Sequence, residues 1–190
     1  MTEGTARESP GSRARTTGVV YFLYFLTAVP AQILVGRKLV VYGEAVNTVA
    51  FLFYIALTLL FYSMFRPVNR VLSLVAALFS LAGCAIGLLG NFHLAPHNLK
   101  PLWFFGPYCL LIGILILRST FLPQLLGWLM VLAGLGWLAF LSPPVARHWS
   151  VPIEIVGIVA EASLMFWLMV KGVNEERWKQ QAGVGRASII

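Results

Sequence analysis

Apolar residues in this chain come in repeated runs near 20 residues, the length of helix that crosses about 30 Å of hydrocarbon. The runs fall at 18–35, 45–65, 71–90, 102–117, 122–141 and 152–170. Two of the connections, 66–70 and 118–121, are short and hold Pro, Asn, Ser or Thr, which suits tight turns between antiparallel neighbours. The pattern predicts an all-α integral membrane bundle of six transmembrane helices, up and down. Residues 1–17 are polar, basic and rich in Gly, Ser and Thr, so they are expected to form a disordered tail. The run from Gly18 exceeds a signal-peptide apolar core, contains Pro30 and lacks a clear small-residue cleavage site, so it reads as a retained first helix. Residues 171–190 are expected to form a second tail, a short helical extension followed by a flexible end.

Composition sharpens this picture. The chain is 59% hydrophobic and 11% charged, with a mean hydropathy of +0.82, whereas a soluble domain carries about 25% charged residues. Its 190 residues leave no room for a second folded domain beside six spans. In a soluble chain the net charge of +7 would suggest nucleic acid. Here the basic residues lie between and beyond the apolar runs, so membrane topology explains them better and no nucleic-acid partner is expected. With the N-terminus inside, ten Lys and Arg fall on the inner side and four, Arg37, Lys38, Lys100 and Arg147, on the outer side. This bias predicts both termini in the cytoplasm of a multi-pass cell-membrane protein whose first partner is the lipid bilayer.

Several patterned residues read as packing rather than chemistry. Ser73, Ala76, Ser80, Gly83 and Gly87 form a small-residue stripe that lets another helix approach closely. Gly127, Gly134 and Gly157 read the same way, and Pro30 and Pro107 are expected to kink their helices. Trp103, Trp149 and Trp178 sit near segment ends and read as interfacial anchors. Cys84 and Cys109 fall within apolar segments without metal-ligand spacing and behave as small hydrophobes.

The chemistry-bearing anomaly is a pair of glutamates, Glu154 and Glu161, in the last apolar run of a chain that has no aspartate. A carboxylate at mid-bilayer costs about 2.5–3.5 kcal/mol on insertion scales, so it faces protein or water and often marks a functional path. Seven residues are two helical turns, which sets both on one face. Glu161 lies roughly 13 Å below the start of its run, near mid-membrane. Glu154 lies near the entrance, within expected reach of Arg147 or His148. Glu44, Asn47, Asn91 and His93, with His97, Asn98, Arg147 and His148, gather on the same outer half and predict an outward-facing polar cavity. Tyr54 matches the depth of Glu161. It shares a broad face with Asn47, Thr58 and Tyr62, and that face is expected to meet the sixth helix. Tyr24 reaches a comparable depth from the first helix. His93 and His97 are spaced like two metal ligands one turn apart, but Pro96 and the loop-like context oppose this and no further ligand follows. No metal or other cofactor is expected. No phosphate-cradling Gly-rich loop, HExxH motif or G-x-S-x-G elbow is present.

The turn Arg118-Ser119-Thr120-Phe121-Leu122-Pro123, then Leu126-Gly127 and Ala133-Gly134-Leu135-Gly136-Trp137-Leu138, resembles an uncharacterised family of bacterial membrane proteins, the domain of unknown function 4386. Glu161, Trp167-Leu168 and Lys171-Gly172-Val173 are similar to that family's closing pattern. The resemblance implies a six-helix domain in a bacterial inner membrane and no particular activity. This chain departs from it with Ser-Thr where Ser-Gly is expected at the turn, and with a short first external connection. Of the candidate residues, only Glu161 matches a polar position of the pattern.

The leading expectation is a pocket around Glu161 that binds a small lipophilic molecule, oriented by Tyr54 and Asn47. A second is an integral membrane enzyme with Glu161, and more weakly Glu154, as general acid and base on a lipid or isoprenoid-like substrate. The third is a proton-coupled transporter assembled as a dimer, a homo-oligomer, although no inverted three-helix repeat is visible.

Overall fold

The structure, a computed structural model, describes residues 9–95 and 99–187. Within them the chain forms seven helices: α1 (Pro10–Gly36), α2 (Val40–Phe65), α3 (Arg70–Asn91), α4 (Leu102–Arg118), α5 (Gln124–Ala139), α6 (Pro143–Val170) and α7 (Glu175–Ala187). No strand occurs among the described residues. Apolar runs favour helices in lipid because a helix satisfies its backbone donors and acceptors internally. Four of them, α1, α2, α3 and α6, are long and apolar enough to cross a membrane. The apolar α4 and α5 are shorter, at 17 and 16 residues.

Each long helix packs against its neighbours in the chain, and α6 returns to pack against α1, so six helices close into a ring. Contacts between neighbours run antiparallel: Asn47 meets Asn91 while Thr58 meets Ser80, and Gly106 meets Gly134 while Gly113 meets Gly127. One end of the ring therefore carries the start of α1, the α2–α3 and α4–α5 turns and the end of α6, and is called the terminal end below. Close approach is built from small residues. On α4 and α5, a Cβ at Gly113 would meet the Gly127 carbonyl oxygen, and one at Gly134 the Gly106 carbonyl oxygen. This pairing of glycines seven apart on both helices fits the packing expectation for Gly127 and Gly134. The α3 stripe is likewise buried throughout. Outward, Leu26, Leu59, Leu78, Leu132, Val159 and Phe166 are each more than half exposed. An apolar exterior suits lipid as solvent and marks the protein as membrane-embedded.

Several boundaries differ from the sequence expectation, each for a local reason. Helix α1 begins at Pro10 inside the expected tail, because Ser9 caps it by accepting from the Ser12 amide at 3.1 Å and Pro10 takes the first helical position. Residues 1–8 of that tail lie outside the described residues. Helix α6 begins at Pro143 rather than near residue 152, with two prolines in its first turn and Pro152 inside it. Residues 171–174 form a turn in which Gly172, at φ 69°, adopts the left-handed conformation that ends α6. Asn174 then caps α7 by accepting from the Arg177 amide at 3.1 Å. Trp178, expected as a lipid anchor, instead donates from Nε1 to the Met64 carbonyl at 3.0 Å and ties α7 to α2.

Candidate functional site

The interior of the ring carries polar groups at mid-height. Glu161 lies on the buried face of α6 with Gly157, Ala160 and Leu164. It is 9% exposed, and Tyr21 of α1 donates from Oη to its Oε2 at 3.0 Å. Two glycines make this possible. Gly18, one turn before Tyr21, lets α1 lie against the α6 backbone at Met169. Gly157, one turn before Glu161, leaves room for the Trp137 ring of α5, which a Cβ there would overlap. The Trp137 indole also comes within reach of the Glu161 carboxyl. The carboxyl is thus held between α1 and α5.

Next to this bond stands a cluster of aromatic rings. Tyr24 meets Tyr54 edge-to-face with centroids 4.6 Å apart, and Tyr54 meets Phe105 at 5.0 Å and Tyr108 at 5.9 Å. Tyr54 and Tyr108 are 3% and 2% exposed. They face each other without a well-formed hydrogen bond, and Tyr108 Oη is left buried with no partner. Cys84 and Cys109 are buried free thiols in the same interior, at 1% exposure each.

The polar face of α2 does not meet α6 as expected, because α1 stands between them and α2 packs against α1 and α3. Its polar residues bond to α3 instead. Asn47 Nδ2 donates to Asn91 Oδ1 at 3.1 Å, and the Thr58 and Ser80 hydroxyls lie 2.6 Å apart. Asn91 Nδ2 in turn donates to the Glu44 carbonyl at 3.3 Å and to Thr48 Oγ1 at 3.1 Å. Tyr54 alone of the expected face turns to the interior, where its neighbours are on α1 and α4.

The remaining expected residues sit apart from Glu161. Exposed His93 places Nδ1 3.7 Å from Glu44 Oε1 at the end opposite the terminal end. His97 and Asn98 lie outside the described residues. Among the described residues no group of three or more His, Cys, Asp or Glu could hold a metal ion. Glu154 is exposed and forms no ion pair with Arg147 or His148 among the described residues, and His148 Nδ1 lies 3.0 Å from the Pro144 carbonyl. Although Glu154 and Glu161 share a helical face, no residue of α6 before Gly157 is buried, and Glu154 lies in that uncovered stretch.

Two members of the interior cluster, Tyr21 and Tyr108, were not singled out from sequence, and Trp137 entered only through the family resemblance. A usable signal exists for Trp137 and Tyr21. Gly157 marks close approach on α6, and Tyr21 is one turn from the candidate Tyr24. Tyr108, beside Pro107 in an apolar run, carries none.

The cavities described lie elsewhere. One of about 460 Å³ sits between α1 and the 171–175 turn, and one of about 380 Å³ lies between that turn and the start of α5. Glu161 lines neither.

Fold and interior together define a class: an all-helical, membrane-embedded bundle with a buried carboxyl–tyrosine bond inside a ring of aromatic side chains. Residues 97–172 match the family model described as Domain of unknown function (DUF4386), so the chain is similar to an uncharacterised DUF4386-like family. It is also 28% identical over 121 residues to an uncharacterized protein of Archaeoglobus fulgidus, which covers 58% of this chain and 72% of that one. No solved structure matches. The family match takes in Tyr108, Trp137 and Glu161 but stops short of Tyr21, Tyr24 and Tyr54.

Proposed function

We propose that this protein is a six-span cell-membrane bundle, with both termini cytoplasmic, that binds a small lipophilic molecule carrying one hydrogen-bonding group in its interior. The site would be the aromatic cluster of Tyr24, Tyr54 and Tyr108, with Glu161 as its second polar point. Entry would be from the outer end, where Glu44, Asn47, Asn91 and His93 gather. Six spans are supported by the closed ring, in which α4 and α5 occupy places equivalent to the four longer helices. Turns lengthen both: Trp103 and Phe104 donate to the 100 and 101 carbonyls before α4, and residues 140–142 continue α5 with bonds of the same span. The cytoplasmic ends rest on the ten-to-four distribution of basic residues.

One observation carries the binding reading: Tyr108 Oη is buried beside the Tyr54 hydroxyl without a well-formed hydrogen bond. A hydroxyl buried without a partner costs about 1–3 kcal/mol, a cost that a ligand's polar group would remove. Apolar walls with few convergent polar groups are the usual make-up of a small-molecule site. The acid–base alternative loses support, because Glu154 is exposed and stands about 10 Å along the helix from Glu161.

The test uses protein purified from membranes in mild detergent, with lipophilic molecules extracted and identified by mass spectrometry. A molecule enriched with the wild type should be depleted in both Tyr108→Phe and Glu161→Gln. Stripped of small molecules, Tyr108→Phe should melt higher than the wild type, by the equivalent of about 1 kcal/mol. Identical extracts from all three proteins would reject the binding site.

A further inference from the structure

The geometry points to a second site, at the terminal end: Lys171 and Arg177 form a cradle for the phosphate of an anionic phospholipid headgroup. The cavity of about 380 Å³ between the 171–174 turn and the start of α5 brings these two cations together over a floor that includes Phe121, Leu122 and Trp167. No acidic residue lines it. Neither cation is in an ion pair among the described residues. Arg177 uses one guanidinium nitrogen, Nη1, to donate to the Thr120 carbonyl at 3.3 Å, which fixes the group at the cavity while leaving further N–H donors. Asn174 and Thr120 add short polar groups to the rim.

The depth is that of a headgroup. Val170, the last residue of α6, is 68% exposed and apolar, and the very next residue is exposed Lys171. Leu125, in the first turn of α5, is 69% exposed. The cations therefore stand where lipid-facing surface gives way to polar surface, and Trp167, one turn deeper, has the ring-and-donor character of an interfacial residue. A soluble phosphate would need only the cations. Half-buried Trp167, with exposed Val170 and Leu125 on either side, provides apolar contact that an acyl-glycerol body would use and inorganic phosphate would not. Folding explains why the site exists at all: the left-handed Gly172 turns the chain so that α7 lays Arg177 across the α4–α5 turn.

The experiment uses the full-length protein in detergent, with native mass spectrometry counting retained phosphatidylglycerol against phosphatidylcholine. Lys171→Gln and Arg177→Gln should each lower phosphatidylglycerol retention about fivefold, and the double variant more, as expected for charges at a membrane surface. Phosphatidylcholine retention should not change. Arg66→Gln, the same charge loss at the same end but outside the cavity, should retain phosphatidylglycerol like the wild type. Equal retention by the wild type and both single variants would overturn the site, as would an equal loss in Arg66→Gln. Competition by inorganic phosphate at the lipid's own concentration would assign the cradle to a soluble anion and overturn the lipid. Melting of each variant in phosphatidylcholine reports folding, and if the double variant fails to fold the single variants decide.

Discussion

The two ends of the ring are held in different ways. At the terminal end, side chains of one element satisfy backbone groups of another. Gln181 Nε2 donates to the Arg118 carbonyl at 3.1 Å while its Oε1 accepts from the Thr120 amide at 3.1 Å. Trp178 reaches Met64, and Glu175 Oε1 accepts from Ser9 Oγ and the Gly11 amide. Helix α7 thus ties the start of α1, the end of α2 and the α4–α5 turn together. The opposite end has the Asn91 hub between α2 and α3, while the first half of α6 lies largely uncovered. There α1 and α3 end on left-handed Lys38 and His93, at φ 64° and 58°. Cross-linked backbone resists local opening, and uncovered helix with few partners does not. The contrast assigns rigidity to the terminal end and access to the other, which is why the interior site is proposed to fill from there.

The largest effects should come from breaking the rigid end. Trp178→Ala removes a packed indole and its bond to Met64, and should cost about 3 kcal/mol, seen as a large fall in detergent melting temperature. Trp149→Ala, at the open end, removes a ring that is 60% exposed and should stay within about 0.5 kcal/mol. Equal losses would abolish the distinction between the ends. Next in size is Gly157→Leu, where new carbon atoms would overlap Trp137. Overpacking of this kind costs about 1–3 kcal/mol, and here it should also shift Trp137 fluorescence in a variant lacking the other tryptophans. An unchanged spectrum and melt would mean that Gly157 does not set how closely Trp137 packs on α6.

Much of the helical frame was legible in sequence because lipid imposes length and apolarity on a span, and both are local properties. The exceptions are instructive. Pro10, Ser9 and the 143–144 prolines set helix starts through capping, which a hydropathy run does not register. The packing role of Gly127 and Gly134 was legible because small residues seven apart mean one thing in a bundle. Partners were harder. Depth along a helix identified Tyr54 and Glu161 as level with each other, yet level residues meet only if their helices are adjacent, and the ring sets α1 between α2 and α6. The residue that bonds Glu161 is therefore Tyr21, on the helix that closes the ring, and the expected α2 polar face is spent on α3. The face shared by Glu154 and Glu161 follows from the helical period, but burial depends on what a neighbouring helix sets against each turn, as Tyr21 of α1 does at Glu161, which no spacing within α6 encodes.

A smaller effect separates the interior bond from the ends. Tyr21→Phe removes the donor at 3.0 Å from Glu161, and interhelical bonds in membranes contribute about 0.6 kcal/mol on average, up to about 1.7. The melting temperature should fall slightly, with amide hydrogen-exchange protection along the α1–α6 seam retained. Loss of that protection would make the bond, rather than the Gly18 contact, what closes the ring.

The smallest effect tests the open end directly. Lys38 holds a left-handed backbone that costs an L-residue about 1 kcal/mol and glycine almost nothing. Its amide donates to the Val35 carbonyl at 2.9 Å and the Leu39 amide to Leu34 at 3.0 Å, so the turn closes α1 in the manner of a glycine-ended helix. Lys38→Gly should therefore tighten the α1–α2 connection. If that end opens independently of the rest, amide hydrogen exchange should slow by up to about fivefold around residues 37–43 and nowhere else, with no change in global melting. A uniform slowing through α1 and α2 together with a higher melting temperature would mean that this end opens only when the whole ring does, and a ligand would then need another way in.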